Sequence, residues 1–159
     1  MPSRTIDSVL FVCTGNIFRS LTADYALRRA LGPGSPITVA SAGTQDFPHV
    51  VRPYVREYLA QAHGLDVAAH RRRTLRTDML APRTLVVAMS TDHLAHIRDR
   101  LGHRDVLLFS QACGLPPVGM PDIEDVVDDH ENHLDQTNAF IRKTIDHIVS
   151  LIPQMAQRI

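Results

Sequence analysis

The sequence predicts an α/β fold of three layers, in which helices cover both faces of a doubly wound, four-stranded parallel sheet. Four apolar segments rich in β-branched residues have the length of buried strands: residues 9–12, 37–41, 84–89 and 106–109. Segments with apolar residues at helical spacing lie between them, and a long one follows at residues 134–152. This alternation is typical of a parallel sheet with right-handed crossovers. We expect residues 1–159 to form one domain.

Glycine, proline and serine delimit the helices in chain order. Gly32 follows the first apolar-periodic run, and Gly64 follows the second, which begins at Pro53. Ser90 is a suitable cap for the third run, which stops at Gly102. Helices are therefore predicted over residues 21–31, 53–63 and 91–101, with a short one near residues 78–80 and a loop over residues 111–128.

The composition excludes several classes of protein. Lysine plus arginine and aspartate plus glutamate number 17 each, so no overall field favours nucleic acid or an acidic membrane. The only cysteines, Cys13 and Cys113, are too few for a disulfide framework, which fits a reducing compartment. No apolar run has the length of a membrane span or of a signal peptide. We expect a cytoplasmic protein, either a monomer or a weak dimer, that binds neither nucleic acid nor membrane.

The first strand runs into the sequence Cys-Thr-Gly-Asn-Ile-Phe-Arg-Ser at residues 13–20, which joins it to the first helix. Backbone N–H groups in such a loop can form a concave anion site, and the helix dipole adds positive potential. Arg19 offers a planar fork that fits two phosphate oxygens at once. In this setting Cys13 should exist largely as the thiolate. The spacing therefore indicates nucleophilic attack by Cys13 on a phosphorus atom.

The other loop residues have supporting roles in this interpretation. Asn16 suits the left-handed backbone conformation that a tight loop needs. Ser20 either donates a hydrogen bond to the thiolate or caps the helix. The residues whose backbone would surround the phosphate are Thr14, Gly15, Asn16, Ile17 and Phe18. Cys113, which has no C-x-x-C partner, is expected to be an incidental or buried thiol.

Residues 13–20 resemble the V-C-x-G-N-I-C-R-S signature of the low-molecular-weight protein tyrosine phosphatases, and depart from it at Phe18, where a second cysteine is usual. Three further segments resemble family motifs in the same order: residues 41–44 (S-A-G-T), 70–75 (H-x-A-R-Q-L) and 89–94 (M-x-x-x-H). The resemblance implies hydrolysis of phosphomonoesters, above all protein phosphotyrosine, through a cysteinyl-phosphate intermediate and without a metal or other cofactor. The partner would be a phosphorylated protein or a small phosphomonoester.

The resemblance also implies roles for residues outside the loop. A network that holds Asn16 would reach Ser41 and His70. Phe47 occupies the position of a family tryptophan or tyrosine and would form one wall of the substrate cleft. The tyrosine pair that usually follows the general acid is Val126-Val127 here, so the cleft should be less aromatic. Arg71, Arg72 and Arg73 are expected to form a solvated basic surface.

The general acid has two candidates, because the family's D-P-Y motif is broken in this chain. Asp122 lies in Met-Pro-Asp-Ile and Asp125 in Ile-Glu-Asp-Val. The family places an apolar helix residue nine positions after the acid, with further core positions beyond it. Counting from Asp125 reaches Leu134, then the isoleucines of the last helix, whereas counting from Asp122 reaches Glu131. We therefore expect Asp125 to be the acid, with Asp122 as the alternative.

Three other functions are considered. A protein-arginine phosphatase would have the same fold, but that subgroup tends to carry threonine at the position of Ile17. A phosphate-binding regulatory module without turnover would account for the altered acid loop. An arsenate reductase would need two further reactive cysteines, and residues 82–90 contain none. The phosphatase interpretation accounts for more of the sequence than these do.

Overall fold

The computed structural model describes residues 5–159. Its strands are β1 (Ser8–Cys13), β2 (Thr38–Gly43), β3 (Thr84–Ala88) and β4 (Val106–Leu108). Its α-helices are α1 (Arg19–Leu31), α2 (Pro53–His63), α3 (Thr91–Ala95), α4 (Phe109–Ala112), α5 (Ile123–Val126) and α6 (Leu134–Arg158). A 3-10 turn covers Thr77–Met79, and a π-helical turn, His96–Arg100, continues α3.

The strands form one parallel sheet in the order β2-β1-β3-β4. The chain leaves β1 towards β2 on one side and later returns to β3 on the other, so the carboxyl end of β1 lies where the direction of winding reverses. In open α/β sheets ligands bind at this point. Cys13 is the last residue of β1, and its sheet neighbour across the register is Gly43.

Alternation along β1 sends side chains into cores on both faces of the sheet. Val9 and Phe11 belong to the larger core, together with residues of α1, α2 and α6. Leu10 and Val12 belong to the smaller one, which includes Ile97 of the π-helical turn. Each of these strand residues is at least 97 % buried. The predicted class, a four-stranded parallel sheet with helices on both faces, is confirmed.

Three local predictions are corrected. The segment 111–128, predicted to be a loop, contains α5, which begins after the capping residue Asp122. Leu134, predicted to face the core, is 57 % exposed because it is the first residue of α6 and precedes Thr137, the first buried residue of the helix. Pro153 lies inside α6, which continues to Arg158.

Candidate active site

The loop between β1 and α1 lies directly on the end of β2. A Cβ atom added to Gly43 would lie 2.6 Å from the carbonyl oxygen of Thr14 and 3.1 Å from the backbone nitrogen of Asn16. Only glycine allows the two backbones to approach this closely. Asn16 has the predicted left-handed conformation, with φ of 58°. The loop is therefore folded tightly over the sheet edge, with Cys13 at its base.

Cys13 lies beside two polar side chains of the loop. Its Sγ atom is 2.9 Å from Ser20 Oγ, and Ser20 Oγ also accepts a 2.9 Å hydrogen bond from Asn16 Nδ2. When Cys13 is a thiolate its sulfur carries no proton, so the Ser20 hydroxyl is the donor in this contact. Ser20 lies within α1, whose capping position is occupied by Phe18, so it contacts the cysteine and does not cap the helix.

Arg19 is 3 % exposed, and its guanidinium lies over the loop. Nη1 donates to the carbonyl oxygen of Met120 at 2.8 Å, while Nη2 lies 3.4 Å from Thr14 Oγ1. Nη2 also forms a 3.1 Å ion pair with Asp122 Oδ2. One guanidinium nitrogen is thus fixed by a carbonyl oxygen, and the other faces the carboxylate of Asp122. A bound oxyanion would compete with that carboxylate for the arginine.

Residues 70–73 support the loop from its outer side. Arg72 Nε donates to the carbonyl oxygen of Gly15 at 2.9 Å, and its Nη2 donates to that of Gln45 at 2.6 Å. His70 Nε2 lies 2.8 Å from the carbonyl oxygen of Asn16, and the backbone N–H of Arg73 donates to Asn16 Oδ1 at 3.1 Å. The predicted solvated basic surface is therefore wrong for Arg72, which contacts two loop carbonyls.

Burial of the His70 imidazole lowers its pKa. The Ser41 hydroxyl donates to Asp24 Oδ2 at 2.6 Å and not to Asn16. Asp24, on α1, is 1 % exposed and also accepts from Arg28 Nε at 2.6 Å. Ser41 therefore links β2 to α1, whereas His70 contacts the loop itself.

A buried histidine supports the loop from the side of β3. His93, on α3, is 1 % exposed, and its Nε2 atom lies 2.8 Å from Thr14 Oγ1. Its Nδ1 accepts a 3.1 Å hydrogen bond from the backbone N–H of Ser90. Desolvation and the positive charge of Arg19 lower the pKa of His93 to about 4. The ring is therefore neutral at pH 7.

Both candidate acids line the cleft above Cys13, whose volume is about 470 Å³. Asp122 caps α5 and contacts Arg19, and its side chain is 30 % exposed. Asp125 is exposed, and its Oδ2 accepts a 2.9 Å hydrogen bond from the backbone N–H of Asp122. The two carboxylates are one helical turn apart on the same segment, so the structure brings both to the site.

The cleft is lined by basic and acidic side chains and by few aromatic groups. His49 and Arg52 lie among the lining residues, as do Asp92, Glu124 and Asp125. Phe47 is 59 % exposed and is not among the residues that line the cleft; its ring packs edge-on against His49 at 5.7 Å. The role of Phe47 in substrate binding stays a prediction.

The cleft is only weakly aromatic because Phe18 is turned towards the core and valines replace the usual tyrosine pair. Phe18 is 6 % exposed and packs against Phe140 of α6 at 6.4 Å between ring centroids. Val127 is 5 % exposed, and Val126 lies on a separate apolar groove. Ile17 lines the cleft as the sequence suggests.

Sequence reasoning missed several residues of the site. The structure adds His93 and Arg72 as supports of the loop, and His49, Arg52, Asp92 and Glu124 as lining residues. His93 is the histidine of the segment that resembles M-x-x-x-H, a signal that could have identified it. Cys113 is buried, which raises the pKa of its thiol to about 11 and fits the expectation of an unreactive group.

Residues 5–159 lack two other kinds of feature. No group of three or more histidine, cysteine, aspartate or glutamate side chains in this range is arranged to hold a metal ion. None of the described helices is long and apolar enough to cross a membrane.

Residues 8–158 match the family model described as low molecular weight phosphotyrosine protein phosphatase. The phosphatase Etp of Escherichia coli K12 is 33 % identical over 97 residues, which cover 61 % of this chain and 64 % of Etp. AmsI of Erwinia amylovora, a probable member, is 32 % identical over 89 residues, which cover 56 % and 60 %. This chain therefore spans less than two thirds of the length of these relatives.

Solved structures share the fold over nearly the whole chain. A low molecular weight protein tyrosine phosphatase from T. tengcongensis has a TM-score of 0.76 at 24 % identity and covers 96 % of this chain and 99 % of its own. The YwlE arginine phosphatase from Geobacillus stearothermophilus has a TM-score of 0.76 at 25 % identity and covers 94 % and 90 %.

Proposed function

Because this chain belongs to the low molecular weight phosphotyrosine protein phosphatase family, we propose that it hydrolyses phosphomonoesters through a cysteinyl-phosphate intermediate, with protein phosphotyrosine as the main substrate. The observation that carries the proposal is the contact of Cys13 Sγ with Ser20 Oγ at 2.9 Å, in a cleft that the buried Arg19 also lines. A nucleophile and an oxyanion ligand are thus held in one cleft.

In the first step the Cys13 thiolate attacks phosphorus, and the bond from phosphorus to the leaving oxygen breaks. Ser20 donates a hydrogen bond to the thiolate sulfur and holds it in place for the attack. Negative charge is spread over the three equatorial oxygens of the transferring group. Arg19 and the loop amides bind these oxygens, and Arg19 can do so because its Nη1 is already fixed by Met120.

The leaving oxygen takes a proton from the segment that carries α5. We assign this proton to Asp125, following the sequence count, with Asp122 as the alternative because it contacts Arg19. In the second step a water molecule attacks phosphorus and gives a proton to the same carboxylate. The bond from phosphorus to sulfur breaks, and inorganic phosphate and the thiolate are released.

A specific observation favours a second candidate, the protein-arginine phosphatase. Asp92, Glu124 and Asp125 contribute three carboxylates to the lining of the cleft, and valines replace the usual tyrosine pair. Carboxylates suit a guanidinium leaving group, whereas aromatic rings suit a phenol. Two structures with this fold are described as YwlE arginine phosphatases. Ile17 in place of threonine favours tyrosine, so we rank this candidate second.

The test is turnover of matched phosphotyrosine, phosphoserine and phosphoarginine peptides in the presence of a chelator. We expect the phosphotyrosine peptide to be hydrolysed fastest, and a phosphorylated cysteine to be trapped by rapid acid quenching. Cys13→Ser should remove turnover while keeping phosphate binding, and Arg19→Lys should be severely impaired because a point charge cannot replace the planar fork. A covalent phospho-enzyme on another residue would exclude this mechanism.

The same assay separates the remaining possibilities. Fastest release from phosphoarginine would replace the first candidate by the second. Phosphate binding without turnover of any peptide or of an aryl phosphate would indicate the regulatory module. The cytoplasmic location and the monomeric or weakly dimeric state stay predictions.

A further inference from the structure

The hydroxyl of Thr14 lies at the phosphate cleft and is engaged by two donors. We propose that Thr14 is a catalytic residue, which donates its hydroxyl proton to an oxygen of the transferring phosphoryl group, and that His93 is the positioning residue that directs this proton into the cleft. The inference rests on the proposed phosphoryl transfer and adds a donor that comes from a side chain of the loop.

The hydrogen bonds of His93 define its tautomer. Two groups of Ser90 lie at Nδ1 of His93: the backbone N–H at 3.1 Å and Oγ, which donates to Asp92, at 3.2 Å. Because a backbone N–H can only donate, we assign Nδ1 as its acceptor, without a proton. In the neutral ring the proton is therefore on Nε2. That nitrogen lies 2.8 Å from Thr14 Oγ1 and donates to it.

The second donor to Thr14 is Arg19, whose Nη2 approaches Oγ1 at 3.4 Å. A hydroxyl has two lone pairs and one proton. His93 and Arg19 take the lone pairs, so the Thr14 hydroxyl can act only as a donor. Within residues 5–159 no protein atom accepts this proton in the hydrogen bonds that Thr14 Oγ1 forms. Thr14 lines the cleft, which leaves a bound ligand as the acceptor.

The position of Thr14 favours the phosphoryl oxygens over the sulfur as that acceptor. The sulfur of Cys13 already has Ser20 as its neighbour at 2.9 Å. Thr14 Oγ1 instead lies beside the tip of Arg19, the group expected to bind the equatorial oxygens. A donor fixed before the reaction stabilises charge there without further reorganisation, as in an oxyanion hole.

The matched pair Thr14→Val and Thr14→Ser tests the hydroxyl. Valine keeps the shape but not the donor, so we expect kcat for an aryl phosphate to fall about ten- to a hundredfold, with a much smaller change in KM. Competitive inhibition by orthovanadate should weaken in parallel. Serine should restore at least most of the rate. Thr144→Val, a buried threonine of α6, is the control and should leave turnover unchanged.

His93→Phe tests the positioning role, because phenylalanine keeps the ring and removes both nitrogens. We expect it to lower kcat by severalfold on its own. In the double variant with Thr14→Val it should add nothing, since the proton that it directs is already gone. A structural role of His93 at the start of α3 would instead lower the rate of the double variant by a further independent factor.

These experiments separate the inference from the proposed function. If the natural protein is active and Thr14→Val keeps its full rate and its inhibition by orthovanadate, the Thr14 proposal is overturned while the phosphatase proposal stands. If the natural protein has no turnover, the phosphatase proposal fails. Calorimetric binding of orthovanadate to the same variants then tests whether the Thr14 hydroxyl donates to a bound oxyanion. Loss of binding in Thr14→Val but not in Thr14→Ser supports the role of the Thr14 hydroxyl as a donor, and equal binding in both variants overturns that role.

Discussion

The phosphate-binding loop, residues 13–20, and the acid segment, residues 119–127, face each other across one cleft but are held very differently. In the loop Asn16 and Ser20 are fully buried, and side chains from α3 and from residues 70–73 support it. The acid segment is anchored by the two backbone groups of Met120, by the ion pair of Asp122 with Arg19, and by Ile123 and Val127 in the larger core, whereas the side chain of Asp125 is exposed. The anion site is therefore buried and held from several sides, whereas the proposed proton donor faces solvent.

The difference fits the chemistry that each region would perform in the proposed reaction. Oxyanion stabilisation depends on donors already fixed at the place where charge develops. A proton donor must instead approach leaving groups of different shape and later contact a water molecule. The ion pair of Asp122 with Arg19 is the main side-chain link between the two regions. Breaking that link, or the supports of the loop, tests this division of roles.

The largest effect is expected for the candidate acids. Asp125→Asn should slow aryl phosphates with poor leaving groups about a hundredfold to ten-thousandfold, and those with good leaving groups far less. Asp122→Asn should tighten inhibition by inorganic phosphate, because it removes the carboxylate that competes for Arg19. The measurements are the slope of rate against leaving-group pKa and the inhibition constant. A steeper slope for Asp122→Asn alone would assign the proton to Asp122.

Acid should weaken the support of the loop through His93. The pKa of His93 falls from 6.5 to about 4 on folding because of burial and the charge of Arg19, partly offset by Asp92 and Asp122. The unfolded chain thus gains a proton that the folded chain resists. Stability should fall between about pH 6.5 and pH 4, by up to about 3 kcal/mol in total. The free energy of unfolding in urea should depend less on pH in His93→Gln than in the natural protein. Equal pH dependence in the two proteins would contradict this.

A smaller effect is expected for Arg72, which supports the loop from outside the cleft. Arg72→Ala removes the donor to the carbonyl oxygen of Gly15 and should lower kcat/KM by up to about tenfold. Arg71→Ala is the matched control, because it removes the same charge from the neighbouring, exposed position. If both variants lost the same activity, the effect would come from charge and not from support of the loop.

The smallest effect on the initial rate concerns Phe18. The family resemblance implies that a second loop cysteine protects the oxidised nucleophile, and Phe18 occupies that position. Peroxide inactivation of the natural protein should therefore be poorly reversed by thiols, because a sulfenic acid on Cys13 has no adjacent thiol. Phe18→Cys should recover activity better after oxidation. Its unfolding free energy must be measured alongside, since the change leaves a cavity against Phe140. Full recovery of the natural protein would contradict the explanation.

Much of the fold could be predicted because its signals are local. Strand β1 is a continuous apolar segment buried on both faces, and α2 is delimited by Pro53 and Gly64. Locality also explains the errors. Nothing in the residues around Leu134 shows that α6 becomes buried only from Thr137 onward, and the short helix α5 depends on a cap by Asp122 that resembles an ordinary loop residue.

The sequence by itself identified the proposed nucleophile, its arginine and the course of their loop, because residues 13–20 are contiguous and short-range geometry fixes their relation. Only the tertiary structure decided what holds that loop. Thr14 meets His93 across 79 positions, Gly15 meets Arg72 across 57, and Ser41 turns to Asp24 and away from Asn16. Such contacts depend on how parallel strands are ordered and how crossovers return, and that order places residues side by side without leaving a pattern in the sequence around either one.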